Sequence, residues 1–388
     1  MSEVESKKFE YKSWQLNMIL LSLGLGLVGL VYGFCLDAQR TWANILIDGL
    51  YFLFLTILSA FIVAVLNVAG ARWHTVLRRI PETIMGYFPI AALLLCAVLL
   101  GYKSIYLWGN STVMTSDPLL ANKITYFKPT FFVFRFFLIL AVWCLFTIFL
   151  RRKSLNEDKH GSKKNSQVLS ALFLVFFAYS FSLASFDWIM SIEPHWTTTM
   201  FGVYNFAGCF VNAIAVVTLS CVLLSKSGVL SIVNESHFHD LGKLLFAFVF
   251  FWAYIWFCQF MLIWYGNIPE ETVYYAKRLT HDWSWLFYFN FFLNFVVPFL
   301  VLLPRQTKRN SSMLMRVCIV LLIGHWLDLY LLVVPGLMGH EVEIGFSEIS
   351  IALGYAGLFM FCIGKMFSQS PVFPVRSPFL AESIHHHQ

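Results

Sequence analysis

The chain has 388 residues, 59% of them hydrophobic and only 12% charged, with a formal net charge of +6. Soluble domains carry about 25% charged and about 45–50% apolar residues, so this composition excludes a soluble domain, a disordered chain and a basic nucleic-acid-binding module. The eight cysteines lie singly in apolar runs, which excludes a disulfide scaffold, an attached c-type haem and an iron–sulfur cluster held by this chain.

A helix crossing a bilayer needs about 20 mostly apolar residues. Ten such runs predict membrane spans near 15–35, 42–69, 84–102, 130–150, 167–190, 200–224, 241–265, 283–303, 312–334 and 346–367. The longest polar stretches, 103–129, 151–166 and 266–281, are too short for a soluble domain. The charged start, Met1 to Lys8, does not read as a signal peptide. Basic residues crowd one side, at Lys7, Lys8 and Lys12, at Arg72, Arg78 and Arg79, at Arg151 to Lys164, and at Arg305, Lys308 and Arg309. The other side has Arg40, Lys103, Lys123, Lys128, Lys277 and Arg278. The positive-inside rule then places both termini in the cytoplasm.

Spans four and eight share a pattern. Phe134-Arg-Phe-Phe-Leu138 is followed by Val142 and Leu145, and Phe289-Asn-Phe-Phe-Leu293 by Val297 and Leu300 at the same offsets. A duplication would relate spans 2–5 to spans 6–9 as two parallel four-helix bundles. The expected fold is an all-α polytopic membrane protein forming one integral membrane domain. It comprises a peripheral helix at 15–35, a first bundle over 42–190, a second over 200–334, a peripheral helix at 346–367 and a cytoplasmic tail over 368–388.

Polar and ionisable residues at membrane depth are costly and mark function or pairing. Most here fall in the outer half: Asp48, Arg135, Asn205, Asn290, Gln259 and Glu348. Arg135 reads equally as the cation of a structural pair, Glu348 as a helix cap, and the asparagines as interhelical glue. His325 and Asp328, three residues apart on one face of span nine, form the candidate proton-exchanging pair. Tyr330 and Arg135 are candidate neighbours in a relay. Of the histidines His325 alone is deep, so a haem between two histidines is not supported.

The most distinctive stretch follows span five: Ser185-Phe-Asp-Trp-Ile-Met-Ser-Ile-Glu-Pro-His-Trp196. It places Asp187, Glu193 and His195 beside two tryptophans at the outer interface. Upstream, Tyr179, Ser182 and Ser185 recur every three residues. They read either as a hydroxyl ladder leading inward or as serines bonded to their own helix.

With Gly202-Val-Tyr204, this motif resembles the smaller quinone-binding-type membrane subunit of bacterial alternative complex III, within the polysulfide-reductase membrane-subunit (NrfD-like) family. The architectural match extends over nearly the whole chain. The resemblance implies a subunit of a quinol:cytochrome c-type oxidoreductase in the electron-transport chain of the bacterial inner membrane, rather than a stand-alone enzyme. Its implied partners are a larger homologous quinone-binding membrane subunit, multihaem cytochrome c and iron–sulfur subunits on the outer side, and membrane lipid. Haem and clusters would sit in those partners and no cofactor in this chain, with quinone or menaquinone as substrate. Asp187, Glu193, His195 and Trp188 are the quinone-site candidates, because a quinol head needs groups that accept its protons.

The rival class is a secondary transporter with a buried His/Asp proton-coupling site. Transporters show broken helices in matching spans, and Pro298 is the one proline well inside a predicted span. A self-contained membrane enzyme would need a nucleophile or metal cluster, which the sequence does not display.

Overall fold

The computed structural model describes residues 9–160, 166–280, 282–339, 342, 344–369, 371–377 and 379–386. Of the residues read above, Lys7, Lys8, Lys163, Lys164, His281, His340 and the side chains of Lys159 and His160 lie outside the described set.

The protein is an all-α polytopic membrane protein. Among the described residues there is no strand, and ten helices are long and apolar enough to cross a membrane. They are span 1 (Ser13–Leu36), span 2 (Ala38–Val68), span 3 (Arg79–Leu100), span 4 (Pro129–Asp158) and span 5 (Gln167–Ile192), then span 6 (Phe201–Lys226), span 7 (Glu235–Gly266), span 8 (Trp283–Leu302), span 9 (Ser311–Met338) and span 10 (Phe346–Gln369). Each predicted run falls on one of these helices, overrunning its end by at most two residues. Several helices begin earlier or end later than hydropathy indicates, because caps rather than apolarity set their ends. Asp37 accepts hydrogen bonds from the Gln39 and Arg40 amides to start span 2, and Asn234 and Asn310 do the same for spans 7 and 9. Asn267, with φ of 47°, closes span 7 in the left-handed conformation.

Spans 2, 3, 4 and 5 pack in a ring of neighbours, as do spans 6, 7, 8 and 9, and the two bundles meet where span 2 contacts spans 6 and 9 and span 5 contacts span 6. Buried residues make up 78% of the apolar window in spans 2 and 6 and 72% in span 9, against 22% in span 1. The protein core therefore lies along the seam between the bundles, and the other spans present much of their surface to lipid.

Spans 1 and 10 pair with each other and lean on span 2. Their contact is backbone to backbone: a Cβ on Gly26 would lie 2.4 Å from the Gly354 Cα. Close approach of this kind is how small residues hold membrane helices together by dispersion.

The end of the molecule holding residues 72–79, 151–158 and 305–309 is the basic end. There Glu82 accepts from Arg78 and Arg79 at 2.8 and 2.6 Å, and Arg79 reaches Asp158 on the neighbouring helix at 2.9 Å. The C-terminal segment folds across this end. The Ser383 hydroxyl donates to the Trp73 carbonyl, Glu382 pairs with Arg72, and the Arg376 amide donates to Asp158, all on the first bundle. On the second bundle, Asn234 donates to the carbonyls of Ile384 and His386, and His386 shares a 2.7 Å bond with Asp240.

Pro298 does mark an irregularity. Proline cannot donate to the carbonyl one turn earlier, and the residues just before it, Phe292–Val296, form a π-helical turn. The proline in span 9 corrects the sequence expectation: the helix continues to Met338 and includes Pro335. Span 3 is interrupted at Gly86, between Arg79–Met85 and Phe88–Cys96. Spans 4 and 7, the counterparts of 8 and 3, run unbroken.

Candidate functional site

The motif, which the structure places at the end of span 5 and just beyond it, brings its three ionisable residues near the end opposite the basic one, but each side chain turns to a different partner. Arg135 grips Asp187 with two bonds, Nε to Oδ2 at 2.6 Å and Nη2 to Oδ1 at 3.1 Å. The Tyr126 hydroxyl donates to Asp187 Oδ1 at 2.6 Å, and the Arg135 guanidinium stacks over the Tyr126 and Phe131 rings. Glu193 turns to the second bundle, accepting from Lys277 at 3.0 Å and Arg278 at 2.9 Å. Arg278 in turn donates to the Leu331 and Leu332 carbonyls of span 9 and stacks on Tyr274, whose other neighbour is Trp196 at 3.8 Å. His195 bonds Asp117 of the 103–129 stretch at 2.6 Å and is 47% exposed.

Asp187, Glu193 and His195, read together as one candidate site, thus do not converge. Three groups close in sequence leave a turning backbone in different directions, and each is already paired. Burial raises the Glu193 carboxyl, but Arg278 and Lys277 outweigh it and hold the group below its ordinary range. The His195 hydrogen bond holds the Asp117 carboxyl below its ordinary range too. Trp188 is core rather than site: it is 1% exposed, packed on Phe136 and Trp143.

The hydroxyl ladder is corrected as well. Ser182 and Ser185 donate to the carbonyls of Ala178 and Phe181, one turn back on their own helix. Tyr179 is 79% exposed on the lipid side. A three-residue step falls about 60° short of a full turn, so residues 179 and 185 end on different faces.

The second cluster lies within the second bundle, between spans 6, 8 and 9. Asp328 Oδ1 accepts from the Tyr204 hydroxyl at 2.6 Å and from Asn290 Nδ2 at 2.7 Å, and Asn294 donates to Asn290 Oδ1 at 2.7 Å. The π-helical turn carries Asn294 and directly follows the turn carrying Asn290. Among the described residues no cation pairs with Asp328. His325 is buried with both ring nitrogens lacking a hydrogen bond, edge-on to the Trp252 ring at 5.5 Å. Both residues line a cavity of about 10 Å³ with Tyr51, Asn205, Cys209 and Asn212, roughly the room one water molecule needs.

Polar groups continue from there along spans 2 and 9. Tyr51 donates to Asn212 Oδ1 at 3.2 Å and to the Leu322 carbonyl at 2.8 Å. One turn away, Asp48 Oδ1 accepts from Trp326 Nε1 at 2.8 Å while Oδ2 is buried without a hydrogen bond. One turn further, Asn44 donates to Glu348, which Arg40 holds through Nε at 2.6 Å and Nη2 at 2.7 Å. A second cavity of about 130 Å³ sits here, lined by Asp37, Arg40, Asn44, Tyr330 and Glu348.

Two of the relay neighbours expected for His325 and Asp328 are elsewhere. Arg135 is held by Asp187 in the other bundle. Tyr330, two residues past Asp328 and so on the opposite side of the helix, lines the larger cavity and stacks on Trp326. The residues that do assemble, Asp48, Tyr51, Tyr204, Asn212 and Asn290, were not singled out as site residues. Two signals pointed to them: Asn290 stands where Arg135 stands in the repeated pattern, and Tyr204 belongs to the distinctive motif.

Neither a protein family nor a curated protein matches this chain.

Proposed function

We propose that this chain is a proton-conducting membrane subunit of a quinol:electron-acceptor oxidoreductase complex, holding no cofactor of its own. The observation that carries this reading is the file of buried polar side chains running from the Arg40–Glu348 cavity through Asp48 and Tyr51 to His325 and Asp328. A carboxyl partnered by neutral donors can take or release a proton without breaking an ion pair. Asp48 and Asp328 are both of that kind, and a water in the small cavity would join Asp328 to His325.

Asp187, Glu193 and His195 support a quinone headgroup less well, because each carboxylate or imidazole is already bonded to a charged or polar partner. Electrons would pass through partner subunits with haem and iron–sulfur centres, beside a larger quinone-binding sister, in the bacterial cytoplasmic membrane. Isolation in mild detergent tests the whole reading: partners with a haem visible spectrum should co-purify. A lone, monodisperse chain from its native membrane would refute it.

A secondary transporter is the second reading, favoured by the π-helical turn that abuts the Asp328 partners. Breaks in spans 3 and 8 fall in non-corresponding helices, which argues against an inverted or repeated gate. Proton-driven solute uptake by the isolated chain in vesicles would favour this reading over the first.

A further inference from the structure

Toward the basic end, spans 2, 6 and 7 part to leave a cleft of about 360 Å³ in which no polar atom surfaces. Phe61, Phe206 and Phe210 close its end away from the basic mouth, their rings 5.2 to 5.4 Å apart. Ile214 and Val217 form its wall on span 6, and Leu241 lies across on span 7. Trp73, His74 and Arg78 stand at its basic mouth. It is not sealed, since Val65 on its edge is 37% exposed.

Three properties define what fits. First, length: the wall from Phe206 to Val217 rises about 16 Å along the helix, about half of a roughly 30 Å hydrocarbon core. The cleft is as long as one leaflet is thick. Second, polarity: water needs two or more polar partners to fill a cavity, and this one offers none. Burial, with Arg78 nearby, pushes the His74 imidazole down to about 4, so it is neutral at the mouth. Third, position: Trp73 at the mouth suits the membrane interface, and Arg78 beside it is already held by Glu82 and Glu157, so the mouth offers an interfacial edge rather than a free charge.

We infer that the cleft binds one acyl chain of a phospholipid from the leaflet at the basic end, with its headgroup left outside the mouth. Such a chain sits between the bundles and completes the packing that spans 2, 6 and 7 leave open. A quinone would carry its ring into the same slot, where a buried headgroup would find no hydrogen-bonding atom. The phospholipid leaves its polar part outside. This inference does not depend on the proton-conducting reading.

Native mass spectrometry of the protein purified with its companions provides the test. After extensive detergent washing, the wild type should keep one phospholipid per chain. Val217→Trp, which fills the cleft, should keep none. In a second measurement, delipidated wild type should regain thermal stability on addition of phosphatidylglycerol in detergent, since a ligand selective for the folded state raises its melting point. The titration needs no variant, so it stands even where Val217→Trp does not fold. Loss of all lipid from washed wild type, retention of a quinone instead, equal retention by a folded Val217→Trp, or no thermal response to phosphatidylglycerol would each overturn the proposal.

Discussion

Arg135 on span 4 and Asn290 on span 8 occupy matching places in the repeated Phe-x-Phe-Phe-Leu pattern, and each donates to a carboxylate on the span that follows. In the first bundle the donor is a cation and the carboxylate, Asp187, is locked in an ion pair. In the second the donor is an amide, and among the described residues Asp328 has no ion pair. The same position thus holds its carboxylate in an ion pair in one bundle and by a neutral hydrogen bond in the other.

Asp328→Asn should leave the fold intact, because an amide oxygen can still accept from Tyr204 and Asn290. If the residue carries protons, the assembled complex should show slowed proton uptake and an altered pH profile. Wild-type behaviour across the pH range in an assembled variant would remove Asp328 from the path.

Arg135→Met should destabilise the protein by about 3–5 kcal/mol, the usual cost of leaving one member of a buried ion pair alone. Adding Asp187→Leu should restore much of that loss, since apolar replacement of a whole buried pair is often close to neutral. Thermal unfolding in detergent of the two single variants and the double variant measures the coupling.

Glu193 gives a signed pH dependence. Its carboxyl is held below the ordinary value of about 4.3. A lowered folded value contributes stability above the ordinary one and loses it as pH falls through the folded one. The melting temperature should therefore drop on acidification below about pH 5, and Glu193→Gln should flatten this part of the curve. An unchanged slope in the variant would assign the acid loss to other carboxylates.

Gly26→Leu should part spans 1 and 10, because even a Cβ meets the Gly354 backbone. Span 1 should then become accessible to protease or cysteine labelling while both bundles stay folded. The Arg40–Glu348 bonds, made between spans 2 and 10, serve as the internal control.

The ten spans were legible because long apolar windows leave a membrane helix few alternatives. The pairing of the bundles was legible from one repeated pattern. The partners of the ionisable residues were not. They depend on how each helix is rotated about its axis, and a helix exposed to lipid on one side and protein on the other leaves only a weak periodic trace. Tyr179 and Tyr330 show a simpler limit: nearness in sequence put both beside a site, while the angle between helical residues turns one to lipid and the other to the opposite face. Asp187 and Glu193, six residues apart, are drawn to different bundles by arginines that sit far away in sequence.

The segment from Arg376 to His386 touches the first bundle at Trp73 and Asp158 and the second at Asn234 and Asp240. Translation proceeds from the N-terminus, and domains form as they emerge. The residues of both bundles are therefore made before those of this strap, and it can tie the two basic ends only once both bundles are in place.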